Sequence, residues 1–557
     1  MDATSLKGTT TPSVDKIVDY KTDVENAQNS THDFSQGYVG DYAAPANFSE
    51  VDEMRQGLKS RHLQMMALAG AIGTGLFLGS GKAIANAGPV GALLGYTLIG
   101  FAGAAVVLAV AEMAALVPLS GGVVRYAEIF VDPSLSFANG WNLVYKGLIF
   151  IPTELVAAGV LLEYWTDTST AVWIVVFGFL MALSNSLPVK YFGELESFFA
   201  LLKIALIIVI NIMAIVIISG GAPNHHVLGF TYWIDPGPFV QRFGISGALG
   251  RFLGFYTTFN SALYAYSGIE GISLVAAETQ NPRQSIPQAA KKVFWRILCF
   301  YVITIFLVGL IIPSTNKELL TSSGAAASPF VIAANLSGIK VIPHVINAVV
   351  ITSAWSSGNA GMVNYVRYLY GMARNGHAPK VFTRLNRFGV PYCAVLLFTL
   401  FMALTFLSLS KGASAAFSWL QDLLSTAVLV NWTVILITYL RFFYGCQKQG
   451  IDRKELPFRA PFQPYFTWVS LSIFILLIFT SGYSTFISGH WSTETFISSY
   501  FNPVFVLVLY FGHKFVRKNK IIPLSQIPIR PLLDIAHADP GVPAPKRKGW
   551  GKLNVLW

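Results

Sequence analysis

GAIGTGLFLGSG at residues 70–81 and YAYSGIEGIS at residues 264–273 decide how this chain is read. Each sits inside an apolar run and interrupts it with glycine. Residues 70–81 hold five glycines in twelve positions, and a glycine in a helix interior costs up to about 1 kcal/mol relative to alanine. Two readings are open for the first stretch: a stripe of small residues that lets helices approach closely, or a local unwinding. Gly73 and Gly75 flank Thr74, and a second interruption surrounds Gly268; together they favour unwinding. Gly79-Ser80-Gly81-Lys82 looks like the end of a phosphate-binding loop. That reading fails because Leu76 and Ala83 occupy positions that require glycine and a hydroxyl residue.

Around both breaks the composition is that of a membrane protein. Charged residues make up 12% and hydrophobic residues 54%, against about 25% charged in soluble domains. Runs such as 171–183 and 204–218 belong to stretches of about 20 residues, the length that crosses about 30 Å of hydrocarbon. Spans are expected near 64–87, 91–117, 138–163, 171–187, 198–218, 250–276, 294–313, 341–368, 391–410, 417–440, 466–486 and 496–513. This predicts an all-α membrane protein of twelve transmembrane helices. The breaks fall in spans one and six, corresponding positions if helices 1–5 and 6–10 form a five-plus-five inverted repeat. Paired interruptions of this kind point to a transporter's midplane site. The expected organisation is a disordered cytoplasmic N-terminal tail over 1–60, the twelve-helix domain over 61–513 and a cytoplasmic C-terminal tail over 514–557.

The net charge of +11 raises the question of nucleic acid, and its distribution answers it. Basic residues cluster after span six (Arg283, Lys291, Lys292, Arg296), after span eight (Arg367, Arg374, Lys380, Arg384, Arg387) and after span ten (Arg441, Lys448, Arg453, Lys454, Arg459). The intervening loops are poor in them. This is the positive-inside bias, which places both termini in the cytoplasm and makes the lipid bilayer, not nucleic acid, the partner. The N-terminal tail carries no apolar segment fit to be a signal peptide. Its Lys7, Lys16 and Lys21 offer acceptors for a ubiquitin ligase, against the plainer reading of solvated lysines. The three cysteines and nine scattered histidines form no disulfide framework and no metal-ligand or hydrolytic motif. No metal, cofactor or enzymatic activity is expected.

A broken helix suits a zwitterion. Free N–H groups and the positive dipole end of the half-helix after Gly75 attract a carboxylate without any arginine. Carbonyls released before the break and near Ser267 accept from an ammonium group. An α-amino acid carries both charges on one carbon. Ionisable residues inside the spans are functional candidates by default: Glu112, Lys146, Glu154, Lys203 and Glu270. Lys203, five residues inside an apolar run, reads as a reversible proton carrier or as a side chain snorkelling to the interface. Glu270, beside the second break, reads as a latch on unwound backbone or as a group that titrates during transport.

With these residues in hand, the chain resembles fungal amino-acid permeases of the amino acid–polyamine–organocation superfamily. The resemblance covers roughly 55–515 and rests on LKSRHLQMMALAGAIGTGLFLGSG at 58–81, AEMAALVPLSGG at 111–122, FANGWN at 137–142, PTELVAAGVLLEYW at 152–165, FGELESFFALLKI at 192–204, AAETQNPRQSIPQA at 276–289 and FRAPFQPY at 458–465. It implies proton-coupled uptake of amino acids across the plasma membrane. Gly73, Thr74 and Gly75 would hold the carboxylate, with Gly268 shaping the matching break in helix six. Carbonyls of Ala71, Ile72 and Ser267 would take the ammonium, and Tyr264 would close over the substrate. Lys203 matches a helix-five lysine near helix one in proton-coupled members, and Glu154 and Glu270 fall on acidic positions of the family. Gly268-Ile269-Glu270, Tyr439-Leu440-Arg441-Phe442-Phe443 and Lys146 depart from common fungal patterns, leaving a broad or neutral specificity beside a dicarboxylic alternative. A non-transporting sensor of the same fold and a membrane-embedded enzyme are the competing classes.

Overall fold

The computed structural model describes residues 72–118, 121–166, 168–187, 189–273, 282–321, 328–411 and 413–538. Outside the described residues lie the N-terminal tail with Lys7, Lys16 and Lys21, Ala71, the segment 276–281 of one family-like stretch, and 539–557. Among the described residues all regular structure is helical. The elements used below are α1 (Thr74–Phe77), α2 (Gly79–Leu116), α3 (Val123–Phe130), α4 (Pro133–Leu162), α5 (Thr170–Asn185), α6 (Val189–Ile218), α7 (Gly247–Ala265), α8 (Pro282–Arg296), α9 (Ile303–Ile311), α10 (Pro329–Leu336), α11 (Ile342–Arg374), α12 (Tyr392–Phe401), α13 (Ala413–Lys448), α14 (Tyr465–Thr480), α15 (Thr493–Arg517) and α16 (Ile529–Ala538).

Six helical stretches among the described residues are long and apolar enough to cross a membrane: Gly79–Leu116, Pro133–Leu162, Phe192–Ile218, Tyr392–Leu409, Ala415–Lys448 and Thr493–Arg517. Thr170–Asn185, Cys299–Ile311 and Tyr465–Thr480 are apolar but shorter. The chain is thus a multi-pass membrane protein. Burial separates an inner set from an outer one: 89% of the apolar window of α4 is buried, against 22% of that of α15. α4 lies against α11, α13 and α15, and α2 lies along α7. Outer helices leave large apolar side chains uncovered, including Phe179, Phe479 and Val508. Surface of that kind is stable only in lipid.

α2 contains 38 residues. Run straight at 1.5 Å per residue it would be about 57 Å long, nearly twice the hydrocarbon thickness. It does not run straight. Gly88 takes φ 78° and ψ 171° inside it, and Pro89 follows. The conformation needs glycine, and proline has no N–H to continue the ladder. The backbone freed there pairs with the loop before α7: the Val90 amide donates to the Pro238 carbonyl at 3.1 Å and the Val240 amide to the Ala87 carbonyl at 3.0 Å. Helical residues on either side of Gly88 therefore correspond to the end of span one and the whole of span two.

Of the two expected interruptions, the second lies wholly within the described residues and is present, and the first is described from Ile72 onward. Gly73 is extended (φ −107°, ψ −167°), α1 lasts four residues, and α2 begins after Leu78. α7 stops at Ala265, Gly268 adopts φ 91°, and residues 269–273 form a tighter 3₁₀ turn.

Past residue 513 the chain is more ordered than its composition implied. α15 continues to Arg517, where Lys514 pairs with Asp132 at 2.8 Å. The returning segment then lies on the core, with the Ile522 amide donating to the Val131 carbonyl at 2.9 Å. Arg441 donates to the carbonyls of Phe130 and Ile522, and Gln449 to those of Leu524 at 2.9 Å and Ile527 at 2.8 Å. α16 buries Ile529, Leu532, Leu533 and Ala536, one face at helical spacing. Residues 519–538 are docked structure rather than a loose tail.

Because a Cβ on Gly88 would stand 2.6 Å from the Pro238 carbonyl oxygen at a positive φ, Gly88→Ala is expected to destabilise the protein by about 1–3 kcal/mol. Its detergent-solubilised melting temperature should fall by several degrees, and an unchanged value would mean that the kink tolerates a side chain.

Candidate functional site

Interrupting a helix in lipid releases polar backbone that must be buried against protein or a cavity. At the first break Glu154 of α4 takes up part of the released backbone by accepting from the Thr74 main chain, and the side chain of Thr74 adds contacts to two neighbouring segments. Its hydroxyl donates to Glu154 Oε2 on α4 at 3.1 Å and shares a hydrogen bond with the Tyr264 hydroxyl on α7 at 2.7 Å. Tyr264 Oη also stands 3.3 Å from Glu154 Oε1, so the two hydroxyl protons serve two of the three contacts at a time. Thr74, Glu154 and Tyr264 are all buried, so three groups from three segments close a ring at the point where span one is broken. Tyr264 also meets Phe417 of α13 edge-on, with ring centres 5.8 Å apart.

The neighbouring glycines have separate duties. A Cβ on Gly73 would lie 3.2 Å from Glu154 Oε1 and 3.2 Å from Ser357 Oγ, so its bare face looks towards α4 and α11. A Cβ on Gly75 would come within 2.6 Å of Ala265 Cα. Gly75 thus permits backbone-to-backbone approach of the two breaks, and the small-residue packing reading holds for it alongside unwinding. Ile72, Ser267 and Gly268 complete the region. Ile72 and Ser267 are buried, and the Ser267 amide closes the end of α7 on the Tyr264 carbonyl at 3.1 Å.

Lys203 is 1% exposed, which removes the snorkelling reading. Its ammonium stands 3.9 Å from Glu196 Oε1, two turns earlier on α6, and within electrostatic range of Glu154. Glu196 Oε2 accepts from Ser356 Oγ of α11 at 2.8 Å. Lys203 therefore sits between two buried carboxylates, one of which belongs to the ring at the break.

Glu270 lies in a second buried cluster. Its Oε1 receives Lys146 Nζ at 2.6 Å and Asn431 Nδ2 at 3.2 Å, and its Oε2 receives Trp432 Nε1 at 3.1 Å. These bonds run to side chains of α4 and α13, not to the unwound backbone of helix one on which a latch was expected, and they tie the second break to groups that sequence reading did not pair with it. Glu112, at the far end of α2, is held by Arg453, by the Tyr439 hydroxyl at 2.7 Å and by the Ala460 amide at 2.9 Å. No group of three or more metal-ligating side chains occurs among the described residues.

The amino acid permease family matches residues 62–525. The chain belongs to that family. It is 35% identical over 520 residues to the dicarboxylic amino acid permease of Saccharomyces cerevisiae, covering 91% of this chain and 85% of the relative. It is 37% identical over 495 residues to a proline-specific permease of Emericella nidulans, covering 87% of this chain and 90% of the relative. Among solved structures, a manganese transporter of Eremococcus coleocola aligns with a TM-score of 0.56 and 12% identity over 89% of this chain and 98% of that one. At that identity the likeness concerns the fold alone. Membership makes this permease a transporter and not an enzyme.

Sequence reasoning found Thr74, Glu154, Tyr264 and Lys203 but not their mutual contacts. It missed Glu196, although Glu196 precedes Lys203 by seven residues and so shares its helix face. It also missed Phe417, Asn431 and Trp432, because an aromatic or amide residue in an apolar helix carries no mark of what it faces.

The Lys146–Glu270 pair gives a stability test. Removing one partner of a buried ion pair leaves an uncompensated charge and costs about 3–5 kcal/mol, whereas neutralising both is much milder. Lys146→Met should lower the melting temperature markedly, and adding Glu270→Gln should restore part of the loss. Additive losses in the double variant would show that the two groups are not coupled.

Proposed function

We propose that this permease is a proton-coupled symporter that carries amino acids into the cell across the plasma membrane, with broad or neutral specificity. One observation carries the reading: the hydroxyl of Thr74, at the helix break, is joined to Glu154 and Tyr264, and Glu154 is within electrostatic range of buried Lys203. In this reading Gly73, Thr74 and Gly75 present main-chain N–H groups to the substrate carboxylate. Carbonyls of Ala71, Ile72 and Ser267 take the ammonium, Tyr264 covers the site and Gly268 keeps the opposite wall open. Twelve helices in a five-plus-five inverted repeat, with both termini cytoplasmic, would frame it. The basic loops after spans six, eight and ten support that orientation. Tail lysines at 7, 16 and 21 would be the points of ubiquitin-ligase control.

Coupling follows from the charge arrangement. A protonated Lys203 is balanced by Glu196 and Glu154, and Glu154 holds Thr74, so a proton on Lys203 favours one setting of the broken helix. A neutral Lys203 leaves carboxylates without their cation and favours another. A proton gradient then biases two states that bind substrate differently. Glu270, committed to Lys146, Asn431 and Trp432, serves this scheme as the fixed hinge of the second break, or joins the proton path if that cluster opens.

Lys203→Met is expected to abolish accumulation against a gradient while weakening equilibrium binding much less. Radiolabelled uptake into intact cells with and without a protonophore, beside binding to purified protein, separates the two effects. A well-expressed Lys203→Met variant that still concentrates substrate and still acidifies the interior would remove Lys203 from coupling, and uptake by the wild type that ignores the protonophore would remove the proton.

A second reading has a specific observation behind it: the S. cerevisiae relative at 35% identity is named a dicarboxylic amino acid permease. An acidic side chain would need a cation, and Lys146 is occupied by Glu270 at 2.6 Å. Lys82, on the half-helix beyond the break, acts electrostatically on Asp422, which also accepts from Asn260 at 2.5 Å. Phe417, which meets Tyr264, favours uncharged side chains, for which one methylene changes affinity by about 1–3 kcal/mol. Leucine, phenylalanine and proline should therefore compete for uptake in a graded series, and glutamate weakly. If aspartate and glutamate displace label better than these, the neutral reading fails and Lys82 becomes the residue to change.

A further inference from the structure

A cavity of about 540 Å³ lies away from the transport site, between α8 and the loop that joins α13 to α14. Four cationic side chains line it: Lys291, Arg453, Lys454 and Arg459. Arg453 is occupied by Glu112, which it grips through two nitrogens, and this ion pair fixes the inner wall. The other three are differently placed. Lys291 lies over the Phe458 ring, 5.9 Å from its centre, and Lys454 makes only a 4.0 Å contact with Asp452, both side chains being well exposed. An exposed pair at that distance is worth little. Arg459 is exposed at the cavity mouth. Asp452 and Glu455 share the loop without lining the cavity, whose lining charges are all positive.

Leu456, Pro457, Phe458 and Pro461 form the apolar remainder of the lining. Immediately beyond, Phe462 is 81% and Tyr465 79% exposed, followed by uncovered Trp468 and Val469 at the start of apolar α14. Aromatic side chains in that position mark the headgroup level of a bilayer. A cationic recess with apolar walls, opening at headgroup depth beside a lipid-facing helix, has the chemistry of a phospholipid site rather than of a soluble anion site.

We propose that this recess binds the headgroup of an anionic phospholipid of the cytoplasmic leaflet, with Lys291, Lys454 and Arg459 on the phosphate and the acyl chains running along α14. The leaflet rests on the orientation given under the proposed function; the site itself does not. Through Arg453 and Glu112 the bound lipid would brace the end of α2 against the loop before α14, so occupancy stabilises the fold.

Full-length permease in phosphatidylcholine nanodiscs, with and without phosphatidylserine, tests this. Phosphatidylserine should remain on the protein in native mass spectrometry and raise its melting temperature, with both effects declining as salt screens the charges. Each surface cation contributes about five-fold in affinity, so Lys291→Ala/Lys454→Ala/Arg459→Ala should weaken retention about 100-fold. The charge-conserving set Lys291→Arg/Lys454→Arg/Arg459→Lys should keep it, which distinguishes lost charge from lost folding. Undiminished lipid retention by the alanine variant would overturn the site. Inorganic phosphate alone giving the same stabilisation would overturn the lipid. Impermeant thiol labelling of Arg459→Cys in intact cells reads the orientation separately: labelling above the background of the unsubstituted chain would put the recess on the outer face without touching the binding result.

Discussion

Polar backbone cannot be left unpaired in hydrocarbon, and this permease breaks two of its helices there. Every other feature of the central region answers that constraint. Thr74 is tied to Glu154 and Tyr264, the end of α7 folds back on itself through Tyr266 and Ser267, and Gly75 lets the two breaks meet backbone to backbone. Such contacts hold the two segments against each other.

Charge burial follows a consistent rule in the same region. Glu154, Glu196, Glu270, Lys146 and Lys203 are each at most a few per cent exposed, yet each has a partner of opposite charge or a hydrogen-bond donor nearby. Two clusters result, with different character. The Lys146–Glu270 contact is short and supported by Asn431 and Trp432, the arrangement of a fixed joint. Lys203 stands farther from Glu196, at 3.9 Å, and lies within electrostatic range of two carboxylates. Both clusters draw on α4, which supplies Glu154 and Lys146 from positions on one face of the helix.

The periphery serves the same centre. α16 and the segment before it clasp the ends of α3 and α13 through Arg441 and Gln449, and Glu112 with Arg453 clasps the end of α2 to the loop before α14. Of the clasped helices, α2 and α13 reach the breaks at their other ends, where α2 follows α1 and Phe417 meets Tyr264. Movement at the centre must therefore either carry these clasps along or open them.

What the sequence determined by itself was whatever depends on local composition and spacing. Apolar runs of bilayer length, glycine at 73, 75 and 268, and charges stranded at 154, 203 and 270 were legible because lipid imposes a severe penalty on each exception. Domain edges were less so: residues 519–538 looked like a tail because their few apolar residues carry no signal until a docking surface is known. Only tertiary structure decided which charges meet. Glu270 could not be assigned to Lys146, 124 positions away, nor Thr74 to Tyr264 at a separation of 190, since periodicity locates a side chain on its own helix but holds no information about the helix across from it. Glu196 shows the boundary between the two: its place on the Lys203 face follows from seven residues of spacing, whereas its bond to Ser356 exists only because α6 and α11 come together in the fold.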